Sequence, residues 1–126
     1  MIVDDDPLSN SICRYCIKKN AAGTEVIDFI FPEDGIKYIG SFYERAEIDC
    51  PTILLLDINM PLMSGWDFLE RYDKLGDHIK KQFTIYILTS SVHSADRERA
   101  LANQYIKSYL TKPLSHKMIH EILADL

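Results

Sequence analysis

Apolar residues along this chain fall into short runs that alternate between two spacings. Met1-Ile2-Val3 is apolar and stops at three aspartates, Asp4-Asp5-Asp6. Beyond Pro7, the residues Leu8, Ile12, Tyr15 and Cys16 recur at helical spacing, and the pattern ends near the breaker at 20–23. Positions 25–31 are rich in β-branched and aromatic residues and read as a strand closed by Pro32. Ile36, Ile39 and Tyr43 supply one face of a second helix. Thr52–Leu56 is a continuous apolar run behind Pro51, the pattern of a strand covered on both faces. Trp66, Leu69, Tyr72 and Leu75 predict a third helix, followed by a charged loop over 76–81. A fourth strand is predicted at 84–88. Ser94 then reads as the N-cap of a short fourth helix, with Asp96 and Glu98 in its first turns. A fifth strand is predicted at 106–110, after which Ser115 caps a last helix with Met118, Ile119, Ile122 and Leu126 on one side.

Five strand-then-helix units imply a parallel sheet with right-handed crossovers and helices on both faces, an α/β doubly wound fold. In such sheets ligands bind outside the carboxyl ends of the strands. The first strand ends at Asp4-Asp5-Asp6, the third at Asp57, the fourth at Thr89-Ser90, and the fifth just before Lys112-Pro113. Four polar clusters are therefore expected to meet at one edge. The first strand has only three residues before the acids, which suggests either that several residues precede Met1 or that the true start is tightly trimmed. No repeat, low-complexity tract or linker interrupts the chain, so 1–126 reads as a single domain.

Composition narrows the class. With 126 residues, 47% of them apolar, the chain can bury a core without disulfides or a structural metal. A net charge of −5 argues against a nucleic-acid surface, and no membrane-length apolar run or signal peptide is present. A cytoplasmic domain with no membrane partner is the expectation. The cysteines, Cys13, Cys16 and Cys50, have no framework spacing. Cys13 and Cys16 form a C-x-x-C, but inside a helical pattern with no strand feeding it, so reduced and partly buried thiols are expected rather than redox chemistry.

Carboxylates crowded at one sheet edge repel one another unless a cation is present. Asp4, Asp5 and Asp57 offer hard oxygen donors and no soft ones, which suits Mg²⁺ better than zinc. Lys112 brings a charge that can pair with Asp57 or a phosphoryl oxygen, and Thr89 brings a hydroxyl donor. A metal, a lysine and a hydroxyl around one carboxylate are what phosphoryl transfer to an aspartate requires. Each feature alone has a plainer reading. Asp6, beside Pro7, reads as a helix cap; Lys-Pro is common punctuation; Thr-Ser-Ser can simply begin a loop. The force lies in four signals at the ends of four strands.

The run Leu55-Leu56-Asp57-Ile58-Asn59-Met60-Pro61-Leu62-Met63-Ser64-Gly65 resembles the D-x-x-M-P-x-M-x-G phosphorylation motif of response-regulator receiver domains. Val3-Asp4-Asp5-Asp6 is similar to their acidic pair, Leu88-Thr89-Ser90 to their switch hydroxyl, and Tyr109-Leu110-Thr111-Lys112-Pro113 to their switch aromatic and lysine. The resemblance covers essentially the whole chain. It implies a flavodoxin-like (βα)5 sheet in the order 2-1-3-4-5, of chemotaxis-regulator type. It further implies that Asp57 accepts phosphate from a histidine kinase or a phosphotransfer protein. Asp5, Asp57 and the Asn59 backbone carbonyl would hold Mg²⁺, with Asp4 helping through water. Thr89 and Lys112 would hold phosphoryl oxygens. Thr89 and Tyr109 would form a switch acting on the fourth helix, fifth strand and last helix, and Asn59 and Ser91 would tune dephosphorylation.

Other residues point elsewhere less strongly. His116 and His120 stand at i, i+4 without a third ligand in sequence, so a solvated face is expected. His93 reads as a loop histidine near the site, and Trp66 as packing that can report on the site by fluorescence. No Gly-rich nucleotide loop is present, so ATP is not expected. A dehalogenase-like phosphatase would carry D-x-D, where this chain has Asn59. A degenerate or constitutive binding receiver, or a receiver excised from a larger regulator or hybrid kinase, are the alternatives. The output partner, reached by protein–protein contact, is not specified by the sequence.

Overall fold

In a computed structural model of the chain, residues 1–45 and 51–126 are described, and Cys50 lies outside them. The elements run β1 (Ile2–Val3), α1 (Pro7–Asn20), β2 (Asp28–Phe29), α2 (Pro32–Arg45), β3 (Thr52–Leu56) and α3 (Gly65–Asp73). They continue through α4 (Asp77–Lys80), β4 (Phe83–Thr89), α5 (Ser94–Ala102), β5 (Ile106–Thr111) and α6 (His116–Ala124). All strand pairs are parallel, in the order β2-β1-β3-β4-β5. This is the doubly wound sheet and the strand order expected.

Alternation along the strands feeds two cores. Val3, Leu54, Leu56, Ile85, Ile87 and Tyr109 point to the face covered by α2, α3 and α5. Ile2, Leu55, Tyr86 and Leu88 point to the face covered by α1 and α6. Because the central strands are buried on both faces, they carry the unbroken apolar runs seen in the sequence. Among the described residues no helix is long and apolar enough to cross a membrane.

Several local expectations are corrected. In α1 the buried positions are Asn10 and Cys13, whereas Leu8, Ile12 and Tyr15 are 67%, 47% and 69% exposed. This helix has apolar residues on two sides, so spacing alone selects the wrong one; Cys13 and Ile17, one turn apart, pack on the sheet with α6. The stretch 76–81 is not a plain charged loop: Ile79, 2% exposed, pulls one helical turn onto the core. Ser94 opens α5 from inside, and the N-cap is His93, which makes no side-chain cap bond. The second strand shrinks from 25–31 to Asp28–Phe29, which among the described residues pairs with β1 alone. Leu126 lies past the end of α6 and is exposed. The caps at Asp6 and Ser115 form as expected, each accepting a backbone N–H two or three residues on.

Candidate functional site

Parallel pairing places Asp4 one residue past β1 and Asp57 one residue past β3 in the same ladder, with Asp57 N–H donating to the Val3 carbonyl at 3.0 Å. The neighbouring β4 ends at Thr89 and β5 at Thr111, so Lys112 follows directly at the same edge. One carboxylate oxygen from each of Asp4, Asp5 and Asp57 lies within 4.8 Å of the others. Lys112 Nζ donates to Asp4 Oδ2 at 2.5 Å and to Asp57 Oδ2 at 3.1 Å. Asp4 and Asp57 are buried, and Lys112 is largely covered.

The electrostatics show an acidic surplus. Burial and then the Asp4 charge push the Asp5 carboxyl above its ordinary range. Burial would lower the Lys112 ammonium, but its hydrogen bonds and charge contacts with Asp4 and Asp57 outweigh that and hold it above its ordinary value. Three acids thus share one cation. Their donors are all hard oxygens at mutual distances one ion can span, so the cluster fits a small divalent cation of the Mg²⁺ kind.

The remaining expected residues are placed as follows. Thr89 is fully buried at the end of β4, its Oγ1 accepting the Ser91 N–H at 3.3 Å. Asn59 is exposed in the loop beyond Asp57, and its N–H donates to Asp57 Oδ1 at 3.2 Å. Ser91 is buried, its hydroxyl donating to Asp96 Oδ2 at 2.6 Å. Tyr109 is turned inward, 7% exposed, with its hydroxyl donating to the Ser91 carbonyl at 2.8 Å. Arg97 of α5 lies over the Tyr109 ring, its guanidinium carbon 5.7 Å from the centroid. Thr89, Ser91, Tyr109 and the first turns of α5 therefore form one connected chain of contacts.

Sequence reasoning missed one support, Asn10, and named another, Gly65, without its role. Asn10, 2% exposed, donates from Nδ2 to the Asp4 carbonyl at 2.9 Å and fixes the acidic turn from inside α1. Gly65, at the start of α3, sits where a Cβ would lie 2.6 Å from the Asp57 carbonyl oxygen. A polar residue on the covered face of a helix next to the acids was the only available signal for Asn10; the glycine was visible as part of the motif. Elsewhere, Cys13 is buried and its thiol is pushed up to about 11 by burial, the behaviour of an inert structural thiol. The His116 and His120 rings lie 6.2 Å apart on an exposed face, remote in sequence from the acids.

A family model described as the response regulator receiver domain matches residues 1–124. The chain is 32% identical over 114 residues to the cyclic di-GMP phosphodiesterase response regulator RpfG of Xanthomonas campestris, covering 90% of this chain and 28% of that protein. It is 25% identical over 126 residues to the sensor histidine kinase CheAY of Helicobacter pylori, covering 98% of this chain and 14% of that one. The chain thus spans a minor part of these relatives. Among solved structures, a response regulator receiver protein from Dyadobacter fermentans superposes with a TM-score of 0.86 at 29% identity, over 98% of this chain and 93% of that one. A two component response regulator from Cytophaga hutchinsonii reaches a TM-score of 0.88 at 22% identity, over 98% and 92%, and speaks for the fold.

Proposed function

Because the chain belongs to the response regulator receiver domain family, a two-component signalling module, we propose that Asp57 is its phosphoacceptor, charged from a phosphohistidine of a histidine kinase or phosphotransfer protein. The observation that carries this reading is Lys112 held between Asp57 and Asp4 at the carboxyl edge of the sheet. In the transfer, an Asp57 carboxylate oxygen attacks phosphorus, the phosphorus–nitrogen bond breaks, and the donor imidazole leaves and takes up a proton. Lys112 and the Thr89 hydroxyl stand at the strand ends where phosphoryl oxygens would develop charge. Asp4, Asp5, Asp57 and the Asn59 carbonyl would hold Mg²⁺, which when bound neutralises the charge of the incoming phosphoryl group.

The output runs through the contacts described above. Taking up a phosphoryl oxygen with Thr89 favours one packing of the Ser91 segment, which the Tyr109 hydroxyl and the first turns of α5 already share. The presented surface is α5, β5 and α6, read by another protein. Apart from gaining and losing phosphate the domain has no chemistry of its own on this reading, and it works in the cytoplasm.

Intact-mass measurement after incubation with Mg²⁺ and acetyl phosphate tests the assignment. One phosphate per chain is expected, stable in acid and labile in base, absent without Mg²⁺ and absent in Asp57→Ala. An adduct that persists in Asp57→Ala would move the acceptor elsewhere. No adduct and no Mg²⁺ binding in the unaltered chain would leave a receiver fold used only for binding.

A further inference from the structure

Helix α1 turns two residues fully into the protein, Asn10 and Cys13. Cys13 joins the apolar core between this helix, α6 and the sheet, and Asn10 does not. The Asn10 Nδ2 donates to the Asp4 carbonyl at 2.9 Å, while its Oδ1 is buried with no hydrogen-bond partner among the described residues. The amide cannot sit the other way round, because Oδ1 would then face the Asp4 carbonyl oxygen, two acceptors without a proton between them. A buried acceptor without a donor lowers stability, and an apolar side chain of the same shape would avoid that cost. Asn10 is therefore a poor residue for simply holding α1 on the sheet.

What the amide does hold is one peptide group. The Asp4 carbonyl accepts no other hydrogen bond among the described residues. That carbonyl and the Asp5 N–H belong to a single planar unit, so pinning the oxygen sets the direction in which Asp5 leaves the turn. The other two acids are oriented separately. Asp4 Oδ1 accepts the Asp6 N–H at 3.0 Å and Asp4 Oδ2 accepts Lys112 Nζ at 2.5 Å. Asp57 accepts from the Asn59 N–H and from Lys112 Nζ. The Asp5 carboxylate makes no side-chain hydrogen bond among the described residues, and it is the least buried of the three.

We propose that Asn10 is a positioning residue for the cation: its amide fixes the Asp4–Asp5 peptide, and through it the one acid of the cluster that no other side chain orients. The proposal rests on the Mg²⁺ reading of the acidic edge and adds to it a residue that touches neither metal nor phosphate. Groups that orient metal ligands in this way account for about 10- to 100-fold in metal affinity.

Calorimetric titration of the full chain with MgCl₂, without a phosphodonor, tests this beside thermal melts in EDTA. Asn10→Leu keeps the branching and removes both polar atoms; it and Asn10→Ala should each weaken Mg²⁺ binding at least about tenfold. Cys13→Ala is the control on the same buried face, three residues on. It should lower Tm by about 3–6 °C and leave Mg²⁺ affinity within about twofold. Equal weakening by Cys13→Ala would overturn the proposal, since loosening α1 would then be enough. A loss smaller than tenfold in both Asn10 variants would overturn it as well. If neither Asn10 variant folds, the unaltered chain decides by nuclear magnetic resonance. Its Asn10 side-chain amide protons should exchange slowly and shift as Mg²⁺ is added, and fast exchange with no shift would overturn the role. No Mg²⁺ uptake by the unaltered chain would remove the metal reading and this proposal with it. Normal uptake with unaffected Asn10 variants would remove the proposal alone.

Discussion

Lys112→Met is expected to cost about 3 kcal/mol of unfolding free energy in metal-free buffer at neutral pH, the scale of removing one partner from a buried ion pair. Methionine keeps most of the side-chain length and apolar stem, so lost packing contributes little. What changes is that two buried carboxylates, Asp4 and Asp57, are left facing each other without the ammonium that now lies 2.5 and 3.1 Å from them. The sign with pH follows from the raised Lys112 value: its contribution is fully present at neutral pH and is lost only as pH rises through and beyond the ordinary lysine range. Mg²⁺ should restore more stability to the variant than to the parent, because the acids then have no resident cation. Urea unfolding with EDTA and with Mg²⁺ measures both effects. A variant as stable as the parent in EDTA would mean that the lysine contributes little to balancing the acidic edge.

Gly65→Ala is expected to lose about 2–3 kcal/mol, at the upper end of small-to-large overpacking, and to slow phosphate uptake. The added methyl would meet the Asp57 carbonyl oxygen at 2.6 Å, Ile58 Cα at 2.8 Å and Ile58 Cγ2 at 2.9 Å. Two of these atoms are backbone, which cannot swing aside as a flexible side chain does. Gly65 N–H also donates to the Ile58 carbonyl at 3.0 Å, so the start of α3 is tied to the strand end carrying Asp57. Any relaxation therefore moves Asp57 itself. Gly40→Ala is the matched control, since its nearest heavy atom would be 3.6 Å away, in the middle of α2. That change should gain about 0.5 kcal/mol from helix propensity. Equal behaviour of the two variants in thermal melts would refute the steric argument.

The sheet was legible because its central strands are buried on both faces: Thr52–Leu56 could hardly be anything else, and it appears with those bounds. The site was legible because its acids, hydroxyl and lysine end consecutive strands, and the parallel register brings Asp4, Asp57 and Lys112 into contact. What the sequence hid depends on three-dimensional choice between plausible faces. Helix α1 offers both Leu8-Ile12-Tyr15 and Cys13-Ile17, and only the neighbouring α6 and sheet decide that the second turns inward. Position 91 was legible from the motif, but the bond from the Ser91 hydroxyl to Asp96, five residues on in α5, depends on how the loop folds back. Asn10 was passed over because a lone polar residue in a helix usually faces water, whereas here it satisfies a buried carbonyl.

The chain contains one tryptophan, Trp66, and the Arg99 guanidinium carbon of α5 stands 4.4 Å from its ring centroid. A cation against an indole shifts and dims its emission, so the molecule carries its own optical gauge of the spacing between α3 and α5. If α5 moves when Asp57 is charged, ultraviolet-excited emission should change in step with the phosphate adduct. With Arg99→Leu the signal should flatten while phosphorylation proceeds. The readout needs no label and no knowledge of which protein receives the signal.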